Sequence, residues 1–342
     1  LQCYFFEERK MVNEAMTVSE PRGAARLKKL YAYYRGALVP FLIAIILIIA
    51  GEFVSSGFAS PNHVLILLKT ASLLGVLVLA QSIVIIAGGE GIDLSVGAIA
   101  SICAVMAAVV MQGEDAKLLI AVPLVIAVGF FLGLINGIGI AVFSVPPLIM
   151  TLGMSSVING LVIIYSKGFI IRGSASKLLQ TIGSGQSLFG IPNMLFVWLV
   201  IIVVALFVLG RTKSGITLYG VGANELTAEL NGVHAKRVRA LAYAFSGAIS
   251  ALAGVFLLGY NGLPFMEMGS PYVLPSVAAA VIGGISLAGG AGNYLGAVGG
   301  SVLLTTLTAL LVTMRMGEGG KQVVFGLVLI ILLAIYGRRT ER

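Results

Sequence analysis

The chain has 342 residues, of which 58% are hydrophobic and 11% charged, and its mean hydropathy is +1.05. That composition excludes an ordinary soluble globule and places the chain among polytopic membrane proteins. The formal charge of +8 does not point to nucleic acid, because the basic residues follow membrane topology rather than one binding face.

Residues 1–35 read as a cytoplasmic tail. Tyr4-Phe5-Phe6 is too short for the apolar region of a signal peptide, and Glu7 and Glu8 follow it. The basic stretch Arg26-Leu27-Lys28-Lys29-Leu30-Tyr31 reads as a flank that fixes orientation. Residues 36–338 form the expected transmembrane domain, and 339–342 a short cytoplasmic end. Apolar windows predict ten helical spans, at about 37–57, 64–87, 92–112, 118–142, 147–166, 191–210, 240–260, 272–288, 294–314 and 322–337. Ten spans put both termini on one side. Seven Lys and Arg precede the first span, five lie between the sixth and seventh, and three follow the tenth. Six fall on the opposite side, so both termini are expected inside the cell.

The polar run Gly88-Gly89-Glu90-Gly91-Ile92-Asp93-Leu94-Ser95-Val96-Gly97 interrupts the apolar chain between the second and third spans. A carboxylate near lipid depth has to be paired, hydrated or lodged in a cavity. Asp93 reads as an N-cap, its carboxylate accepting from the N–H of Ser95 or Val96 at the boundary of span three. The other reading is a gate or ion-coupling carboxylate, with Glu90 beside it. Lys69 lies about two turns inside span two and is expected to snorkel outward. Gln81, Asn136 and Asn159 are deeper polar side chains. They either hydrogen-bond neighbouring helices or line a polar pathway suited to sugar hydroxyls.

Gly129, Gly133 and Gly137 recur every four residues, as do Gly292, Gly296 and Gly300. Each trio is expected on one helix face, where backbones approach closely. A second glycine-rich run, Gly283-Gly284-Ile285-Ser286-Leu287-Ala288-Gly289-Gly290, shares a G-I-x-L-x-x-G frame with the first. This echo suggests two related halves. The frame and the trios imply different offsets, 193 and 163 residues, so they are not both in register.

The longest hydrophilic segment inside the membrane domain is 211–239. Within it Asn224 suits an N-cap, Glu225 the first turn of a short helix, and Gly232 its end. So short a helix is marginal in water and needs a surface to dock on.

Catalytic and cofactor chemistry is not encoded. No G-x-x-x-x-G-K-[ST], H-E-x-x-H or G-x-S-x-G occurs, His63 and His234 are the only histidines, and Cys3 and Cys103 have no zinc or disulfide spacing. No catalytic residue, cofactor or metal is expected, and neither is ATP binding by this chain itself.

Four blocks carry a resemblance. Gly91-Ile92-Asp93-Leu94-Ser95-Val96-Gly97 resembles the G-I-D-L-S-V-G signature of the ribose-type permease family of bacterial ABC importers. Val145-Pro146-Pro147-Leu148-Ile149-Met150-Thr151-Leu152-Gly153 resembles that family's V-P-x-[FL]-I-x-T-L-G. Tyr219-Gly220-Val221-Gly222-Ala223-Asn224, with Ala228-Glu229-Leu230-Asn231-Gly232-Val233 after it, is similar to its Y-A-x-G-x-N…A-x-x-x-G-I stretch. Residues 281–292, from Val281 to Gly292, resemble V-I-G-G-x-S-L-x-G-G-x-G. Glu90 departs from the family's neutral residue before G-I-D-L-S.

The resemblance implies an all-α inner-membrane permease of about ten spans that pairs with a second copy or a paralogue. It implies that a cytoplasmic ABC ATPase docks on a coupling helix containing Asn224, Glu225, Ala228, Glu229 and Gly232. It also implies a cytoplasmic turn or gate at Gly91, Asp93, Ser95 and Gly97, and a periplasmic sugar-binding protein that delivers a monosaccharide. The competing class is an ion-coupled secondary transporter, which needs a carboxylate near the midplane. A membrane-embedded enzyme is the third and weakest class.

Overall fold

The computed structural model describes residues 22–166, 172–317, 319–321, 323–327 and 330. The chain divides into two units, Leu1–Gly36 and Ala37–Arg342; apart from the bounds of the helix Arg22–Val54, the description concerns the second. The tail up to residue 21, most of the expected tenth span and the C-terminal end lie outside the described residues.

The fold is all-helical among the described residues, apart from one isolated bridge between Gln186 and Pro192. In chain order the helices are α1 (Arg22–Val54), α2 (Pro61–Ile86), α3 (Val96–Met111), α4 (Leu118–Ala141), α5 (Pro147–Ser166) and α6 (Lys177–Gly183). They continue with α7 (Asn193–Arg211), α8 (Lys213–Ala223), α9 (Glu225–Leu230), α10 (Ala235–Asn261), α11 (Val273–Ile282) and α12 (Tyr294–Thr313). Six described stretches are long and apolar enough to cross a membrane: α2, Asp115–Ala141, α5, α7, α10 and α12. Leu38–Val54, Val96–Met111 and Ser270–Ile282 are shorter apolar helices.

Helix boundaries follow local chemistry. Ser60 caps α2 by accepting from the His63 N–H, with Pro61 in the first position, where its missing N–H costs nothing. Ser176, Thr212, Asn224 and Asn293 cap α6, α8, α9 and α12 in the same way. At the end of α2, Gly88, Gly89 and Glu90 take φ values of 76°, 66° and 56° in succession. Three consecutive left-handed residues cannot continue a right-handed helix, and glycine makes two of them possible at little cost. The third span therefore begins at Val96, four residues later than its apolar window suggests.

The core is built around α10 and α2, whose middle turns are buried almost all round. In lipid, helices gain little from hydrophobic exclusion, so close backbone approach and dispersion carry the packing. The first glycine trio supplies that approach. A Cβ on Gly129, Gly133 or Gly137 of α4 would overlap the carbonyl oxygen of Gly247, Tyr243 or Ala240 of α10, respectively. The second trio is different. Gly296 and Gly300 face α11, where a Cβ on Gly283 would crowd Gly296 and one on Gly300 would overlap the Ala279 oxygen. Gly292 lies outside the helix, at φ 129°, because Asn293 caps α12 one residue later. The four-residue spacing there crosses a helix boundary and does not form one face.

The segment 211–239 holds more helix than its polarity suggests. The eleven-residue α8 precedes the short α9, and α10 begins at Ala235. Lys69 is half-buried and its ammonium stands 5.0 Å from the centre of the Tyr260 ring. Its charge rests on the ring of a residue one position from the end of α10.

Candidate functional site: a clamped helix break joined to a short capped helix

Residues 87–95 connect α2 to α3, and side chains from four helices hold them. The Asp93 carboxylate is fully buried. One oxygen accepts from the Ser95 N–H at 2.9 Å and the Ser95 hydroxyl at 2.5 Å. The other accepts from the Ser246 hydroxyl of α10 at 2.9 Å. Asn136 of α4 donates to the Ser95 hydroxyl oxygen at 2.8 Å. Gln81 of α2, with its amide oriented by its partners, donates to the Asp93 carbonyl at 3.0 Å and accepts from the Asp93 N–H at 3.1 Å. Ser155 of α5 donates to the Leu94 carbonyl at 2.9 Å.

The carboxylate is not the N-cap of α3: Ser95 holds that position, with no side-chain cap bond, and Asp93 closes a turn two residues before it. It does accept from Ser95 N–H, but it also ties the break to α10, 153 residues further along. It also lies deeper than a boundary residue. Gln81 and Asn136 are each five residues inside the ends of α2 and α4, and Ser246 is eleven residues into α10. At 1.5 Å per residue, that is roughly 8 to 16 Å inward along those helices.

The cluster also contains buried polar atoms without partners among the described residues: the Asn136 side-chain oxygen and, one turn before Ser246, the Tyr243 hydroxyl. Gln81 and Asn136 are fully buried, so both are held by the break. Asn159 is not brought to the cluster; it is half-buried on α5, one turn past Ser155. Gly91 and Gly97 provide room. A Cβ on Gly91 would lie 2.6 Å from the Val84 oxygen, and one on Gly97 would lie 2.7 Å from the Gly269 oxygen. Glu90 is exposed at the rim of the break.

The second glycine-rich run, between α11 and α12, packs directly on the first. Gly290 N–H donates to the Ile86 carbonyl at 3.0 Å, and a Cβ on Gly289 would lie 2.5 Å from the Gly88 Cα. The third member of this contact is the end of α8. A Cβ on Gly222 would overlap the Ile86 oxygen and lie 2.6 Å from Gly290 N. Tyr219 of α8 adds a tie, its hydroxyl donating to the Gly292 carbonyl at 2.9 Å. The two runs with a shared frame are thus spatial neighbours that meet a third glycine turn.

That third turn leads into α9. Asn224 caps it, its side-chain oxygen accepting from the Thr227 N–H at 2.8 Å. Asn231 and Gly232 close the other end on the carbonyls of Thr227 and Glu229. Arg239 of α10 grips Glu225 through both guanidinium amines, at 2.8 and 3.4 Å. The same guanidinium lies over Gly89, where a Cβ would stand 2.9 Å from its central carbon. Arg239 therefore touches both α9 and the break. Ala228 is half-buried and Glu229 exposed. On the outer face Leu226 and Leu230 are 68% and 79% exposed, an apolar pair on an otherwise polar segment.

Arg239 is the residue of this site that the sequence did not single out. It counted only as one of the five basic residues between the sixth and seventh expected spans. Among the described residues no group of three His, Cys, Asp or Glu side chains could hold a metal ion.

Comparison with known proteins gives the site its context. A family model described as "Branched-chain amino acid transport system / permease component" matches residues 63–333. The ribose import permease protein RbsC of Bacillus subtilis (strain 168) is 33% identical over 300 residues, covering 87% of this chain and 92% of that one. The ribose import permease protein of Haemophilus influenzae is 30% identical, over 77% of this chain and 81% of its own. The autoinducer 2 import system permease protein LsrC of Escherichia coli O9:H4 is 29% identical over 303 residues, 88% of this chain and 86% of that one. No solved structure matches significantly. The clamped break and the segment around α9 both fall inside the matched region, and the chain belongs to this family of transport-system permease components, as a membrane subunit of the ribose-type ABC importers.

Proposed function

We propose that this chain is the inner-membrane permease subunit of an ATP-driven importer for a monosaccharide or a similar small polyhydroxylated solute. The substrate class rests on the two ribose permeases among its relatives. In this reading the termini and α9 face the cytoplasm, in keeping with the distribution of Lys and Arg. A separate ATPase docks on α9, a binding protein delivers solute to the opposite face, and a second permease copy or a paralogue completes the pathway.

The observation that carries the reading is α9 itself. A six-residue helix is not stable alone in water. This one is capped at both ends, pinned by Arg239, and presents Leu226 and Leu230 outward. That is the form of a rigid docking knob.

The route inward is short. Movement of α9 pulls on Arg239 through Glu225, and on the glycine contact through Ala223 and Gly222. Both reach Gly88 and Gly89, at the head of the break whose far end is held by Asp93. The Asp93 cluster acts as a latch between two states. Its orphaned polar atoms, Asn136 Oδ1 and Tyr243 OH, are groups that gain partners when the break shifts. ATP binding in the partner biases the latch only through its different fit to the two states.

One observation favours the ion-coupled alternative: the depth and full burial of Asp93. Both its oxygens already accept from hydroxyl or amide donors, which supports the latch instead. The test is gentle extraction from native membranes, followed by mass spectrometry of the bound proteins. Stoichiometric co-purification of a P-loop ATPase is expected, and replacement of Glu229 should weaken that association. A chain that purifies alone would overturn the reading.

A further inference from the structure

A cavity of about 740 Å³ opens sideways between α7 and α10. Its walls are Val204 and Val208 of α7 and Leu241 and Phe245 of α10, and Leu79 of α2 forms its floor. All four wall residues are between 41% and 54% exposed, so nothing among the described residues covers them fully. On α10 the lining runs from Val238 to Leu252. At 1.5 Å per residue this is roughly 21 Å, more than half of a hydrocarbon core about 30 Å thick.

The groove is not apolar throughout. At one end it is lined by Lys213, Ser214 and Thr217, in the first turns of α8. Arg237 lies one helical turn before Leu241, on the same side of α10. Both cations are exposed, and among the described residues neither forms an ion pair. The end that carries them is where α7 passes into α8 and where α10 begins.

We propose that this groove is a binding site for one anionic phospholipid of the leaflet on the α9 side. The acyl chain lies along α7 and α10, and the headgroup phosphate meets Lys213 and Arg237, with hydroxyls of Ser214 and Thr217 nearby. Charge complementarity singles out this occupant. A zwitterionic lipid gains less from two unpaired cations at the surface. A two-fold contact with a second copy through the same groove would set its Lys213 and Arg237 against their own kind. The site depends on the chain's place in a membrane and is independent of the transported solute. An occupied groove braces the α7–α8 corner, one helix away from the docking knob.

The test uses the full-length chain, supplied with equal amounts of phosphatidylglycerol and phosphatidylcholine and read by native mass spectrometry for retained lipid. The wild type should retain phosphatidylglycerol in preference, by roughly tenfold or more, the order expected of two basic side chains at a lipid surface. The double variant Lys213→Glu with Arg237→Glu should lose the preference while still holding lipid. Val204→Trp, which fills the groove, should lose retention of both. Equal retention of the two lipids by the wild type would overturn the proposal. So would an unchanged preference in the charge-reversed variant, or disulfide cross-linking of two copies through Phe245→Cys in native membranes.

Discussion

The Asp93 carboxylate, on the break between α2 and α3, accepts a hydrogen bond from the Ser246 hydroxyl of α10 at 2.9 Å. Both residues are fully buried. The bond joins a helix break to the helix around which the core packs, and it makes Asp93 a structural tie as well as the acceptor of a local turn.

Replacing Asp93 separates those roles. Asp93→Asn keeps an oxygen for the Ser95 N–H, and the Ser246 hydroxyl can turn to accept from the new amide. Uptake should stay within a few-fold of wild type. Asp93→Ala leaves the hydroxyls of Ser95 and Ser246 without their acceptor, at about 1–3 kcal/mol for each orphaned group. It should lower the unfolding temperature in detergent and abolish most transport. Complete loss in Asp93→Asn, with normal expression and melting, would show that the negative charge itself is used.

The Glu225–Arg239 pair should matter more for coupling than for stability. Its carboxylate side is 42% exposed, and such pairs contribute about 0–1 kcal/mol. Arg239→Ala should leave the melting temperature nearly unchanged and raise the ATP hydrolysed per solute imported. Glu225→Arg combined with Arg239→Glu should recover part of the coupling. Independent, additive effects of the two single changes would remove this pair from the route.

Gly222 and Gly232 bracket α9 and should fail differently. A Cβ on Gly222 would overlap the Ile86 oxygen, so Gly222→Ala must push apart the three glycine turns. Transport should fall by an order of magnitude or more. Gly232 has nothing within 4 Å of a Cβ but sits at φ 82°. Gly232→Ala therefore costs only backbone strain, about 1–2 kcal/mol, and loosens the C-terminal end of α9. It should weaken ATPase association without affecting the membrane core. Measured association and uptake for the two variants would distinguish these failures.

Gly133→Val should disrupt the α4–α10 crossing, because even a Cβ overlaps the Tyr243 oxygen. Overpacking of this kind commonly costs about 1–3 kcal/mol, and backbone contact puts this case at the upper end. Gly153→Ala and Gly160→Ala on α5 meet nothing within 4 Å and should be neutral or slightly stabilising. Melting curves of the three variants in one detergent give the comparison.

Hydropathy located the six described stretches long enough to cross a membrane and three shorter apolar helices. It also located the break, since glycines beside a carboxylate are costly there unless used. The first glycine trio marked a close crossing, but α10 as its partner followed only from tertiary structure. Gln81 and Asn136 stood out as polar residues in apolar runs, yet nothing local linked them to Asp93. Ser246 is 153 residues away in an unremarkable stretch of small residues. The shared frame of the two glycine runs suggested repetition, and their contact through Ile86 and Gly290 is a further relationship that sequence does not encode locally. Arg239 was hidden among neighbouring cations. Its role depends on a bidentate partner fourteen residues earlier.

The most direct measurement is solute uptake into proteoliposomes holding the complete complex extracted from native membranes, with labelled ribose as the first probe and other simple sugars after it. Accumulation should require ATP inside the cytoplasmic-facing compartment and be indifferent to proton or sodium gradients. Uptake driven by an ion gradient with no ATP present would contradict the proposed function.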